Sequence, residues 1–412
     1  MNMKKPEILA PAGSLEILKT AVIYGADAVY IGGEAYGLRA AAHNFGREEM
    51  AEGIAFAHEH GARVFVTANI YAHNGDLEGV REYFAELKEL KPDAVIIADP
   101  GVFVIARDII PEIPVHISTQ SNNVNYETFK FWHGLGAERV VTGRELSLKE
   151  ISEIRARVPG TLEIETFAHG AMCMSYSGRC LMSNYMTGRD ANKGACTHPC
   201  RWTYSLVEEQ RPGEYMPVYE NERGTFIFNS KDLCMIEYIP EIVGAGVDSL
   251  KIEGRMKTAL YVATVVRAYR MAVDMFFESE ESYRAHMPFF LREVESASRR
   301  KYCTGFFFGQ AGEESMYYEA ERVAPMTYMG TVEDVADGYA VFTQKNKFSV
   351  GDELELIKPA GENIIVNVTG IMDENGVPME SCPHPRQKLF VKLEGELKPE
   401  KFDILRSCGE DA

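Results

Sequence analysis

Nowhere does the chain hold ~20 apolar residues uninterrupted by charge, the length a membrane span needs. Its opening, Met1 to Glu7, is charged and lacks the apolar core of a secretory leader. Those two lacks make the cytoplasm the expected compartment. The chain also lacks cationic excess. Lysine and arginine number 43 against 61 acids, a formal net charge of −18. Broad, non-specific nucleic-acid binding, which runs on phosphate neutralisation, is thereby disfavoured. A structured RNA would need a local basic face. No Gly-x-Gly-x-x-Gly follows the first predicted strand, against dinucleotide binding. His58-Glu59-His60 lacks the i, i+4 histidine pair of a zinc peptidase, and no Gly-x-Ser-x-Gly elbow occurs. A peptidase would have to work without either device.

What is present begins with a repeated phrase: helix, turn, then a short strand rich in β-branched residues. It reads Gly25-Ala-Asp-Ala-Val-Tyr-Ile31, Lys91-Pro-Asp-Ala-Val-Ile-Ile97, Gly136-Ala-Glu-Arg-Val-Val141 and Gly246-Val-Asp-Ser-Leu-Lys-Ile252. Further strands are expected over 7–10, 63–69, 115–118 and 161–166, separated by helical stretches such as 14–24, 48–60 and 77–90. Eight apolar strands alternating with helices predict a TIM-like (β/α)8-type barrel, a parallel sheet covered by helices.

In such a barrel, functional groups gather beyond the C-terminal ends of the strands. Those positions hold Arg39, Asn69, His73, Asp99, Ser118, Thr119, Gln120, Arg144, Glu145, His169, Glu253 and Arg255. Each could instead cap a helix or pair with a neighbour. Lys251, Glu253 and Arg255 form the tightest charged group. Alternation puts Lys251 and Glu253 on one face, the barrel interior, where a buried Lys–Glu pair could be structural or act in acid–base chemistry.

Between strands seven and eight the chain makes an excursion over about 168–228, far longer than an ordinary βα loop of about 2–6 residues. Beyond Arg255, the residues Tyr261, Val265, Ala268, Tyr269, Ala272 and Phe276 share one helical face that should pack on the barrel. A charged helical stretch follows to about residue 301. From residue 325 the texture becomes short alternating strands, predicting a barrel domain over 1–320 and a small β-barrel domain over 321–412.

The excursion carries most of the cysteine interest. Of eight cysteines, a reducing compartment makes a disulfide framework the wrong reading, and clustering points to metal or redox chemistry. Cys303, Cys382 and Cys408 are scattered and read as inert. Cys173 and Cys180 are followed fifteen residues later by Cys196-Thr-His-Pro-Cys200. Four thiolates so spaced suit tetrahedral zinc or an iron–sulfur cluster; the gaps of six and three are wider than zinc knuckles and lean towards iron. A radical-SAM triad would need cysteine at 203, where Thr203 stands. Cys234 is a fifth candidate, read as a buried residue at the start of a helix. The same excursion is locally basic and aromatic, with Arg179, Arg189, Lys193 and Arg201 among Tyr176, Tyr185 and Trp202. That mixture suits an unstacked RNA loop.

At these residues the chain resembles the U32 family, named for peptidases and collagenases. The resemblance rests on Glu7-Ile-Leu-Ala-Pro-Ala-Gly13, the phrase at 25–32, His116-Ile-Ser-Thr-Gln120, the stretch 165–183, Asn229-Ser-Lys-Asp232 and Lys251-Ile-Glu-Gly-Arg255. It covers nearly the whole chain. Cys196-x-x-x-Cys200-Arg-Trp together with a C-terminal β-domain resembles the branch that hydroxylates tRNA. That resemblance implies 5-hydroxyuridine formed at the wobble position of the tRNA anticodon loop without molecular oxygen, dependent on prephenate. It further implies a [4Fe–4S] cluster on Cys173, Cys180, Cys196 and Cys200, with another cysteine such as Cys234 as the alternative fourth ligand. Sister branches hydroxylate ribosomal RNA or a quinone precursor. Arg39, Arg144 and Arg255 would face carboxylates or phosphates, whose geometry suits arginine's planar fork. Gln120, Lys251 and Glu253 complete the candidate catalytic set. An electron donor or paralogous partner protein is expected, and a cluster-bearing RNA-binding subunit without activity of its own is the non-enzymatic alternative.

Overall fold

The structure is a computed structural model that describes residues 4–33, 44–173, 178–201, 219–221, 224–226, 231–298, 300–309, 326–384 and 386–408. Strands β1 (Glu7–Pro11), β2 (Ala28–Gly32), β3 (Arg63–Ala68), β4 (Ala94–Ile97), β5 (Val115–Ile117), β6 (Arg139–Val141) and β7 (Glu163–Gly170) pair in parallel in chain order. After a short hairpin of β8 (Tyr219–Asn221) and β9 (Gly224–Phe226) and a strand β10 (Asp232–Cys234), β11 (Ser249–Ile252) pairs with both β7 and β1. That double pairing closes an eight-stranded parallel barrel, as the repeated phrase predicts.

Helices α1 (Leu15–Ile23), α2 (Arg47–Glu59), α3 (Leu77–Leu90), α4 (Pro100–Ile109), α5 (Tyr126–Gly134) and α6 (Leu148–Arg155) each follow a barrel strand. Their starts are written in the sequence: Ser14, Asn125 and Ser147 each accept a hydrogen bond from a backbone N–H of the first turn. Asp99 does the same for Gly101 and Val102 at 2.7 and 3.0 Å, so this candidate site residue is a helix cap. Later come α7 (Met182–Thr187), α8 (Ile239–Gly244), α9 (Ala259–Glu278), α10 (Glu280–Ala285) and α11 (Met287–Ser296). All six residues assigned to the apolar face of α9 are buried.

Two local readings need correction. Strand β7 runs to Gly170, beyond the expected end at Thr166, because β10 pairs antiparallel with its last residues, Leu233 opposite Gly170 and Cys234 opposite His169. Cys234 therefore lies in a strand, not at a helix start. The sheet is extended further by β12 (Tyr302–Cys303), parallel to β10.

The C-terminal part is an antiparallel sheet curled around its own apolar core. It comprises β13 (Tyr328–Thr331), β14 (Asp334–Ala336), β15 (Tyr339–Thr343), β16 (Glu353–Ile357), β17 (Ile364–Asp373), β18 (Pro378–Met379), β19 (Lys388–Gly395) and β20 (Ile404–Ser407). The expected boundary near 320 falls within 310–325, outside the described residues. A buried ionic seam joins this sheet to the barrel's outer helices. Glu293 of α11 accepts from Arg267 of α9 and, at 2.7 Å, from Arg406 of β20, which also grips Glu355 at 2.6 Å. Tyr24 crosses the same junction, donating to the carbonyl of Ile357 at 2.8 Å. Among the described residues no helix is long and apolar enough to cross a membrane.

Candidate active site at the barrel mouth

The barrel interior has two ends of different character. At the N-terminal end, the first residues of several strands interlock. Glu7 accepts from Arg139 at 2.6 Å and Ser249 at 2.8 Å, and also pairs with Arg63. Arg139 reaches Glu163 at 2.6 Å and Glu165 at 2.9 Å. Lys251 joins the set, its Nζ 2.8 Å from Glu165 and 4.6 Å from the centre of the Tyr30 ring. Burial opposes charge on Glu165, but Lys251 and Arg139 more than offset it and hold the carboxyl below its ordinary range. Above this layer His116 packs edge-on to Phe65; burial, then Arg139, Lys251 and Arg63, keep its imidazole neutral. Groups at this end of a barrel serve stability. Lys251 is thus interior, as alternation predicts, but its partner is Glu165 rather than Glu253.

The C-terminal mouth gathers a different set. Arg144, in the loop after β6, lies with its guanidinium carbon 3.9 Å from the centre of the Phe167 ring. Its Nη2 is 3.6 Å from Glu253 Oε2, and its Nη1 donates to Cys173 Sγ at 3.6 Å. Among the described residues its buried Nε has no hydrogen-bond partner. Glu253 stands just past β11, near the Tyr30 hydroxyl at 3.5 Å. The backbone N–H of Glu253 donates to the His169 carbonyl at 2.9 Å, and its carbonyl accepts from Tyr261 at 2.9 Å. Gly170 makes this approach possible. Its φ is +108°, and a Cβ there would meet the Glu253 carbonyl oxygen at 2.5 Å. Arg255 is buried, donating to Asn44 Oδ1 at 2.9 Å and Thr67 Oγ1 at 3.4 Å.

Gln120 occupies a turn after β5; its N–H donates to Ser118 Oγ at 3.2 Å and its carbonyl accepts from Tyr71. Asn69 meets the same Ser118 hydroxyl at 3.3 Å. His169 points away from the mouth. Tyr302 donates to the Val294 carbonyl at 2.8 Å, so its oxygen is left to accept from His169 Nε2 at 3.1 Å. Burial holds this imidazole neutral, with its pKa down to about 3. Arg39, Tyr176 and Trp202 lie outside the described residues.

The cysteine segment forms a cap beside this mouth. Cys173 is exposed, immediately beyond β7, while Cys180, Cys196 and Cys200 are half-buried on turns around α7. Cys196 Sγ accepts the backbone N–H of His198 at 3.4 Å. None of the eight cysteines is in a disulfide. Among the described residues, no three histidine, cysteine, aspartate or glutamate side chains are grouped so as to hold a metal ion. Cys234 is buried beside Tyr269, and burial pushes its thiol up to about 12.

Tyr30, Phe167 and Asn44 contribute to the mouth without having been singled out from sequence. Phe167 was legible: it lies two residues beyond Glu165 on the same strand face. Asn44 had no local signal.

Comparison with known proteins places this architecture. Peptidase family U32 matches residues 13–317, and the peptidase family U32 C-terminal domain matches 325–406. The chain is 42% identical over 399 residues to tRNA hydroxylation protein P1 of Bacillus subtilis, covering 96% of this chain and 94% of that protein. It is 39% identical to tRNA hydroxylation protein P of Escherichia coli, covering 96% and 95%. The 23S rRNA 5-hydroxycytidine C2501 synthase of Escherichia coli is 38% identical over 272 residues, 66% of this chain and 40% of that enzyme. With barrel, cap and C-terminal sheet all accounted for, the chain belongs to peptidase family U32.

Proposed function

We propose that this protein hydroxylates RNA, with tRNA as substrate and 5-hydroxyuridine at the wobble position as product. The observation that carries the reading is the position of Arg144. One guanidinium lies on an aromatic ring and reaches both a mouth carboxylate and the first cysteine of the cap. It couples the barrel, where a substrate would sit, to the segment that carries the thiols. The relatives named for tRNA hydroxylation, similar along nearly their whole length, support the same class of reaction.

Side chains alone supply little redox chemistry. The donors match an iron–sulfur cluster in kind and number, though among the described residues they are not grouped around one point: four thiols, no disulfide, two sulfurs accepting N–H donors. Cys173, Cys180, Cys196 and Cys200 would hold a [4Fe–4S] cluster, which supplies one-electron chemistry when bound. Because the four thiols are not grouped in the structure, loading a cluster would have to draw the cap turns together. Arg144, with Arg255 buried on Asn44 and Thr67, would orient an anionic co-substrate such as the dicarboxylate prephenate, since a guanidinium fork matches a carboxylate. Glu253 would position Arg144, whose guanidinium carbon lies over the Phe167 ring.

A peptidase is less well served by the same residues. Cys173 has a guanidinium rather than a base on its sulfur, and His169 is committed to Tyr302. Mass spectrometry of nucleosides from a deletion strain tests the proposal. Loss of 5-hydroxyuridine derivatives from tRNA is expected. Their persistence in a strain with no second family member, or loss of a ribosomal hydroxycytidine instead, contradicts the tRNA assignment. An electron donor or paralogous partner protein would show itself as activity that returns only when a second chain is added.

A further inference from the structure

We infer that the outward face of α7 is the platform on which a single-stranded RNA loop docks, with Tyr185 as the ring that stacks a base. The inference rests on the RNA reading above and adds to it a surface and a residue.

Tyr185 is 85% exposed, and Leu181, one turn earlier, is 69% exposed. The two share a helical face, since Tyr185 N–H bonds to the Leu181 carbonyl at 2.9 Å. An aromatic ring this bare usually belongs to a pliable loop. Here the mount is braced on its inner side. Ser183 is fully buried and accepts the Thr197 N–H at 3.1 Å, while Thr187 donates to the Ser183 carbonyl at 2.7 Å. Asn192 holds the Cys180 carbonyl at 3.2 Å, and its own carbonyl is bonded by Tyr71 N–H at 3.1 Å, tying the cap to the loop after β3. Gly178, at φ +73°, lies against the Gln120 carbonyl, where a Cβ would come within 2.1 Å. The exposed face is therefore a fixed feature at the rim of the mouth.

Charge identifies the occupant. The chain as a whole carries −18, yet residues 178–201 hold four cations, Arg179, Arg189, Lys193 and Arg201, against the single acid Asp190. Lys193 is engaged by Asp76 at 2.9 Å, whereas Arg179 and Arg189 are exposed beside the platform. A bare aromatic flanked by guanidinium groups on an otherwise acidic protein fits a polyanion with flat, unstacked faces, namely a single-stranded RNA loop. An acidic protein or a second copy of this chain could meet the same cations, but it brings no unstacked flat bases for the bare ring, and sedimentation separates that occupant.

Fluorescence anisotropy with an unmodified anticodon stem-loop, titrated with the full-length protein at about 0.15 M salt, tests this. Tyr185→Ala is expected to weaken binding about ten- to a hundredfold, the usual worth of one stacked base. Tyr185→Phe should keep wild-type affinity, and Arg189→Gln should flatten the salt dependence by about 0.7 in log–log slope. Unchanged affinity in Tyr185→Ala, with native circular dichroism, overturns the inference. So does a Tyr185→Ala protein that loses self-association in sedimentation while still binding the hairpin. The hydroxylase reading fails separately: wild type would then bind through Tyr185 while nucleosides of the deletion strain stay unaltered.

Discussion

The guanidinium of Arg144 and the ring of Phe167 stack at 3.9 Å, and the pair joins two parts of the chain that are remote in function. Phe167 is the last interior residue of the strand that leads into the cysteine cap. Arg144 touches the cap's first thiol and the carboxylate beyond the last barrel strand. Lysine cannot reproduce a planar group shared among a ring, an acid and a sulfur. Arg144→Lys is therefore expected to lower kcat/KM for RNA hydroxylation by at least about tenfold, corresponding to about 1.4 kcal/mol. Thermal unfolding should shift little. Activity close to wild type in Arg144→Lys would remove this residue from the site.

Lys251 gives the opposite pattern. It is buried against Glu165, so removing its charge leaves a carboxylate enclosed with one cation fewer. Lys251→Met should cost about 3–5 kcal/mol in urea unfolding, the usual penalty for breaking a buried ion pair. A Lys251→Met protein of full stability but no activity would move this lysine from scaffold to chemistry.

Two neutral histidines set the response to mild acid. His116 and His169 are buried and held well below the ordinary 6.5, His169 at about 3. Between those values the unfolded chain binds protons that the native protein refuses, so stability falls as pH drops below 6.5. The slope is about 1.4 kcal/mol per pH unit for each group. Urea midpoints from pH 7 to pH 5 should decline accordingly, and His116→Phe should remove about half the slope. A flat profile over that range would contradict the buried neutral assignment.

The seam between barrel and C-terminal sheet is a further point of failure. Glu293 balances Arg267 and Arg406, all three with fully buried side chains. Glu293→Gln leaves two enclosed guanidinium groups short of charge and should destabilise by about 3–5 kcal/mol. Calorimetry should then resolve the C-terminal sheet as a separate transition. A single transition at the wild-type temperature would show that the seam contributes nothing.

The barrel was legible because four units repeat the same instruction, a helix, a turn, then a short apolar run rich in β-branched residues, and four further apolar runs alternate with helices. The choice of Arg144, Glu253 and Arg255 followed from a positional rule about strand ends. What local reading could not supply was pairing. Lys251 and Glu253 alternate onto one face, yet Glu165, 86 residues earlier, claims the lysine because β7 and β11 close the barrel. Asp99 carries the same chemistry as a catalytic acid, and only its geometry shows a cap. Cys234 misled through its neighbours: β10 is three residues long, too short for any periodicity, and exists because the end of β7 offers it an edge.

The most direct test of the account is reconstitution with one protein. The chain is purified anaerobically, loaded with iron and sulfide, and incubated with prephenate, a reductant and tRNA from the deletion strain; nucleosides are then read by mass spectrometry. The account predicts 5-hydroxyuridine from the wild type and none from a variant with serine at Cys173, Cys180, Cys196 and Cys200. Equal product from both proteins, or none from an iron-loaded wild type that binds the tRNA even after deletion-strain extract is added to supply a partner chain, would contradict it.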